Sequence, residues 1–174
     1  ICFNTFSIYG TAEETIRHAF FQVGSIITTS GFVTTDYNQW PMLSKTILVI
    51  LMFVGACAGS TGGGIKVSRI TILFKTIKKE LHILMHPRLV KRIKVDNHPV
   101  SKEVIRSTNV FIAVYFIIFF ASLLLISVDN LDFTSSFTAV AATLNNIGPG
   151  LETVGPTGNF SGFSVFSKFV LMFN

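Results

Sequence analysis

The chain has 174 residues, of which 49% are hydrophobic and 13% charged, with 18 Phe and a mean hydropathy of +0.59; soluble domains average about 25% charged residues, so a membrane protein is the leading class. The net charge of +5 is uneven, with 11 of the 14 Lys and Arg lying between Lys66 and Arg106. Phe74 is the only Phe, Tyr or Trp in that stretch, so the cluster lacks the stacking rings of a nucleic-acid surface and reads as a cytoplasmic loop between two spans.

Residues 1–43 and 129–162 then face the outer side. Thr11-Ala12-Glu13-Glu14 has the form of a capping box and predicts a helix to about Ile27. That helix is apolar only in its second half (Ala19, Phe20, Phe21, Val23, Ile26, Ile27). It is too short to cross a bilayer, which takes about 20 apolar residues, and reads as re-entrant. Thr28-Thr29-Ser30-Gly31-Phe32 ends it, and Asp36 to Pro41 forms a polar and aromatic outer loop.

Ser44 to Val54 is an apolar half-span. It runs into Val54-Gly55-Ala56-Cys57-Ala58-Gly59-Ser60-Thr61-Gly62-Gly63-Gly64-Ile65-Lys66, with five glycines and two hydroxyls. Glycine costs about 1 kcal/mol per residue in a helix interior, so this stretch is predicted to unwind. Unwound backbone at membrane depth is tolerated only where protein buries it or where it lines a watery cavity. It is therefore a candidate gate or ion path.

Ile65 to about Met85 resumes as an increasingly basic helix (Lys66, Arg69, Lys75, Lys78, Lys79), ended by His86-Pro87. Val90 to Val100 fits a short hairpin or turn around Asp96-Asn97-His98-Pro99. Asn109 to Val128 is the clearest span, twenty residues without a charge and about 30 Å long as a helix. Asp132 can cap a second short helix, Phe133 to Asn145, which ends in Asn146-Ile147-Gly148-Pro149-Gly150. An outer loop then leads to Phe163 and the start of a further span. No initiator Met or basic leader region opens the chain, and both ends are apolar, so it is expected to be part of a longer protein.

Laying Gly31 on Gly148 superposes the two short helices. Phe20 falls on Phe137, and Thr28-Thr29 on Asn145-Asn146. With six extra residues in the second outer loop, Ser44-Lys45 falls on Ser167-Lys168. Each unit reads as short helix, polar turn, outer loop, span, and two such units suggest a repeat around a shared axis. A short helix ending at membrane depth presents its negative dipole end to a cation. Glycine supplies the unusual dihedrals of the turn, and rings of carbonyls can replace a potassium ion's hydration shell. The candidate ion-binding residues are Thr28, Thr29, Ser30, Gly31, Asn146, Ile147 and Gly148. The candidate gate residues are Gly55, Gly59, Ser60, Thr61, Gly62, Gly63 and Gly64.

Plainer readings stand beside these. Either turn can be a helix C-cap with a glycine at C′ or a Pro-Gly turn. Gly59 and Gly64 have the glycine spacing of a phosphate loop, but Ile65 and Val67 break the motif around Lys66. Close helix packing through small residues is another use of the stretch. Lys66 and Arg69 share a helical face, for snorkelling or for contact with the loop or with regulatory subunits. His82 and His86 have i,i+4 metal-ligand spacing without an evident third ligand. Cys57 reads as a small packing residue, with no disulfide to Cys2. No catalytic constellation, cofactor site or transition-metal site is visible, so the chain is read as a non-enzyme.

These residues resemble the Trk/Ktr/HKT superfamily of potassium transporters, most closely the bacterial TrkH type. Thr28 to Phe32 looks like its third pore-loop filter, Gly55 to Val67 like its glycine-rich intramembrane loop, and Asn146 to Gly150 like its fourth pore loop. His86-Pro87 and the basic stretch beyond resemble its cytoplasmic linker. The resemblance implies an all-α membrane protein of repeated M1–pore helix–M2 units with re-entrant pore loops, here a fragment of a four-repeat pore. Residues 1–85 would be the third repeat without its first span, 86–108 the basic cytoplasmic linker, and 109–174 the fourth repeat without most of its last span. It further implies potassium uptake across the bacterial cytoplasmic (inner) membrane by a multi-pass protein, gated by the intramembrane loop. Potassium is then the substrate and no cofactor is needed. The implied partners are a second copy in a homodimer and a cytosolic nucleotide-binding RCK-type subunit. The family's basic pore residue on the last span would fall beyond Asn174, and Lys168 lies too near the outer end to be it. A sodium-permeable or sodium-coupled transporter of the same family remains an alternative, as do a non-conducting sensor subunit and a phosphate-using membrane enzyme.

Overall fold

The computed structural model describes residues 1–86, 93–95 and 98–174. The helices are α1 (Cys2–Tyr9), α2 (Ala12–Ile27), α3 (Met42–Phe53), α4 (Val67–Met85), α5 (Lys102–Ile126), α6 (Phe133–Leu144) and α7 (Val165–Met172). Two short strand pairs join them: β1 (Val54–Gly55) lies parallel to β2 (Ile65–Lys66), and β3 (Lys94–Val95) antiparallel to β4 (His98–Pro99). The second pair realises the expected hairpin, whose central residues 96–97 lie outside the described residues, as does Pro87.

Local chemistry accounts for most boundaries. Thr11 accepts from the Glu14 amide at 3.4 Å and starts α2. Asp132 accepts from the amides of Thr134 and Ser135 at 2.9 and 3.3 Å and starts α6. Two elements differ from expectation. α1 was not anticipated: it is eight residues long, lacks a side-chain cap and ends on Gly10 in the left-handed region. α5 begins at Lys102, inside the stretch assigned to the linker, because Ser101 accepts from the Val104 amide at 3.3 Å and caps it there.

From Lys102 through Asp129 runs, among the described residues, the one helix long and apolar enough to cross a membrane by length and composition. Little of it is buried. Phe116, Ile117, Phe120, Leu124 and Leu125 all face outward. An exposed apolar stripe of this kind marks a surface that packs against lipid or against other protein. The two short helices, α2 and α6, fall below spanning length as expected.

At the centre lies α6, whose Ser135, Ser136, Thr138 and Ala139 to Ala142 are all buried. Small side chains let α3, α5 and α7 approach its backbone closely. Phe53 of α3, Phe119 of α5 and Phe137 of α6 form an aromatic knot, with ring centroids 5.0 to 6.1 Å apart. Ser44 and Ser167, matched by the repeat, are both wholly buried. α2 thus packs against α1 and α3, and α6 against α3, α5 and α7.

Candidate functional site

The two polar turns repeat one another bond for bond. After α2, the amides of Thr28, Thr29 and Ser30 donate to the carbonyls of Gly24, Ile26 and Ser25 at 2.9, 3.1 and 3.0 Å. After α6, the amides of Asn145, Asn146 and Ile147 donate to Ala141, Thr143 and Ala142 at 3.2, 3.0 and 2.8 Å. The side chains follow the same rule: Thr28 Oγ1 donates to the Gly24 carbonyl and Asn145 Nδ2 to the Ala141 carbonyl, both at 2.7 Å. Every pair is 117 positions apart, the offset that places Gly31 on Gly148.

This is a Schellman cap, which sets its C′ residue in the left-handed region, usually as glycine. Here C′ is Thr29 (φ 57°) in one turn and Asn146 (φ 53°) in the other. The glycines come two residues later, Gly31 at φ 71° and Gly148 at φ 104°. The plain reading of a helix stop with glycine at C′ is thereby corrected. A β-branched threonine in this region is a strained outlier, and such strain clusters at functional sites.

The turns also meet. A β-carbon on Gly31 would collide with the carbonyl oxygen of Ile147 and lie 3.3 Å from Pro149 Cδ. So the carbonyl ends of α2 and α6 converge, and with them two negative helix termini. Beyond each turn the chain climbs back along its own helix. Ser25 Oγ donates to the Phe32 carbonyl at 2.7 Å, and Gln22 Nε2 to Thr34 Oγ1 at 3.2 Å. In the second unit Thr138 Oγ1 accepts from the Leu151 amide at 2.9 Å, and Ser135 Oγ from that of Thr153 at 3.3 Å. Tyr37, fully buried, ties the units together by donating to the Gly150 carbonyl at 3.0 Å.

The glycine stretch is unwound, as predicted. Its ends are zipped by the Val54–Ile65 and Gly55–Lys66 pairs, and residues 56–64 loop out between them. The loop lies against both turns. A β-carbon on Gly62 would sit 3.1 Å from Thr29 Oγ1 and 3.6 Å from the Thr28 carbonyl. One on Gly63 would strike the Asn145 carbonyl, one on Gly55 the Gly63 carbonyl, and one on Gly64 would lie 3.2 Å from Asn145 Oδ1. Gly59, at φ 91°, together with Ser60 and Thr61 forms the exposed tip. Cys57 is exposed there rather than packed in a core, because the loop leaves the helix bundle. Within the loop the bonds are few, namely Ser60 N to Cys57 O at 3.0 Å and Gly62 N to Ser60 Oγ at 3.2 Å.

Lys66 reaches back into this loop, donating to the Ser60 carbonyl at 2.8 Å and to that of Gly62. Its ammonium is thus ringed by acceptors, whereas a phosphate loop turns amide N–H groups inward. Arg69 does something else: its guanidinium lies 3.9 Å over the Phe111 ring and joins α4 to α5. The rings of His82 and His86 lie 5.2 Å apart, tilted to one another, and no cluster of three metal-ligating side chains occurs among the described residues.

Two residues of the site escape the candidate set. Asn145 is wholly buried, and Tyr115 donates to its Oδ1 at 2.8 Å from α5. The repeat alignment already placed Asn145 on Thr28, and that was the available signal. Nothing in the sequence pairs Tyr115 with it.

Comparison with known proteins identifies the family. Residues 7–174 match the family described as TrkH, cation transport protein. The chain is 41% identical over 168 residues to the Trk system potassium uptake protein TrkH of Escherichia coli K12, covering 97% of this chain and 34% of that protein. With TrkG of the same organism it shares 41% over 135 residues, 76% of this chain and 27% of that protein. The solved structure of the potassium transporter TrkH from Vibrio parahaemolyticus matches with a TM-score of 0.85 at 37% identity, over 99% of this chain and 37% of that one. The chain spans about a third of the length of these relatives. It belongs to the TrkH family of cation transport proteins.

Proposed function

We propose that the full-length protein carrying this chain takes up potassium across the cytoplasmic membrane. In this reading Thr28, Thr29, Ser30 and Gly31 line one filter segment, and Asn146, Ile147 and Gly148 a second. Gly55 and Gly59 to Gly64 form the gate beneath them. The observation that carries the reading is the paired cap: a strained non-glycine residue two positions before a left-handed glycine, at the ends of two converging short helices. Two negative helix ends in contact favour a cation between them. The glycine loop supports a gate because it touches both turns and is held by few internal bonds, which is the profile of a segment that opens locally.

Two copies of the unit make half of a fourfold ring, so the rest of the pore would come from the remaining length of the protein. The printed names of the relatives, potassium uptake protein and potassium transporter, favour potassium as the ion. The exposed apolar face of α5 fits a multi-pass membrane protein. A homodimer and a cytosolic nucleotide-binding RCK-type subunit follow from the family resemblance alone. For such a regulator, the basic end of α4 leads directly to Lys66 and the loop.

The test is complementation. The full-length gene, expressed in a strain lacking its own potassium uptake, is expected to restore growth at low potassium and to carry rubidium tracer. Failure of both, with the protein present in the membrane, would overturn the proposal. Uptake that requires sodium would instead favour the sodium-coupled alternative.

A further inference from the structure

The two filter turns are braced in different ways. In the first, Thr28 braces itself, its hydroxyl closing on the Gly24 carbonyl one turn back at 2.7 Å. In the second, Asn145 makes the equivalent bond through Nδ2 to Ala141, also at 2.7 Å. Its Oδ1 is left over as a second, fully buried acceptor. One hydroxyl answers it: Tyr115 on α5, itself only 7% exposed, at 2.8 Å across 30 residues of sequence. A buried acceptor without a donor is costly, so this bond fixes which way the amide faces.

Asn145 is also where three elements converge. Its backbone leads into Asn146 and Gly148, its carbonyl oxygen fills the space a side chain on Gly63 would need, and its Oδ1 lies beside Gly64. Tyr115 is held in turn by aromatic neighbours: Phe53 at 6.5 Å, Phe111 at 6.2 Å and Phe116 at 5.5 Å between centroids. A rigid ring on a long helix therefore sets the position of a filter residue that it reaches only through its hydroxyl.

We propose that Tyr115 is a positioning residue for ion discrimination: its hydroxyl locks Asn145, and through Asn145 it sets the carbonyl spacing of the second turn. This rests on the filter reading above. It goes further in assigning a selectivity role to a residue on a span, outside both turns, and in making the two turns unequal. The first turn is self-sufficient, while the second depends on α5. A displacement of α5 relative to α6 would strain this bond and so reach the ion site.

Three full-length variants, reconstituted in proteoliposomes, decide the matter by the ratio of potassium to sodium flux. That ratio is taken through the same molecules, so a smaller amount of folded protein does not move it. Tyr115→Phe removes one oxygen and is expected to lower the ratio about fivefold to tenfold, the scale of one buried hydrogen bond. Tyr115→Phe with Asn145→Thr gives the second turn the self-bracing residue of the first, and is expected to restore most of the ratio. Gly148→Ser, with φ at 104°, is the control for the filter reading and is expected to lower the ratio whatever Tyr115 does. A normal ratio in Tyr115→Phe with a lowered one in Gly148→Ser overturns the positioning role and leaves the filter reading standing. Normal ratios in both overturn the two together. A lowered ratio in Tyr115→Phe that the added Asn145→Thr leaves equally low shows the ring packing, not the locked amide, to be what matters, and also overturns the proposal.

Discussion

The carbonyl oxygen of Asn145 occupies the space that a β-carbon on Gly63 would need. The loop can seat against the second turn only because residue 63 has no side chain. Gly63→Ala should therefore unseat it. Overpacking costs about 1–3 kcal/mol. If that falls on the seated state alone, basal potassium flux should rise at least about fivefold. Deleting residues 59–63 should raise it further. Efflux from loaded proteoliposomes measures both, and equal or lower flux at normal protein levels would count against a gate.

Gly31 meets the other turn in the same fashion. Its β-carbon would strike the Ile147 carbonyl, and its φ of 71° is unfavourable for any side chain. Gly31→Ser is expected to spread the two turns and weaken discrimination of potassium from sodium about tenfold, a change of about 1.4 kcal/mol. Relative uptake of the two ions reads this out, and an unchanged ratio would remove Gly31 from the filter.

Thr29 holds a left-handed conformation that its counterpart, Asn146, adopts with less strain. Such a conformation costs a β-branched residue about 1–2 kcal/mol. Thr29→Asn should recover about 1 kcal/mol of it, while Thr29→Val should recover none. Thermal unfolding in detergent separates the two. Equal midpoints would mean that the strain is absent or is relieved by neighbouring atoms.

Tyr37 links the outer loop of one unit to Gly150 of the other, and burial raises its phenol pKa well above the ordinary 10.0, with the Asp36 charge adding to the effect. The folded state thus holds the proton more tightly than the unfolded one. The resulting stability is complete below pH 10 and declines as pH rises beyond it. Tyr37→Phe should cost about 1–2 kcal/mol at neutral pH and flatten that alkaline decline. Unfolding midpoints measured across the alkaline range test both expectations.

Some of this site is written in residue types. Gly31 and Gly148 were legible because positive φ is what glycine supplies, and the loop at 55–64 because glycine cannot sustain a helix. Lys66 was legible as a basic residue beside the loop, but its bonds to the carbonyls of Ser60 and Gly62 were not. Thr29 and Asn146 were named without their left-handed geometry, since a cap imposed by three backbone bonds leaves no compositional trace at a threonine. α1 was missed because Cys2 to Tyr9 carries neither a cap side chain nor a charge. The Tyr115–Asn145 bond was invisible for a different reason: periodicity describes one helix at a time, and this contact joins two.

The parallel pairing of Val54 with Ile65 and of Gly55 with Lys66 has a mechanical consequence. It brings the two ends of residues 56–64 together independently of what lies between them. The segment is then a closed ring hung from a clasp between the end of α3 and the start of α4. Swinging such a ring needs torsion at only a few bonds beside the clasp. Its length can also change at small entropic cost, since closure entropy varies only slowly with the number of residues enclosed. Related chains can thus be expected to differ in ring size while keeping the clasp, as if the bar of a latch were cut to suit different doors.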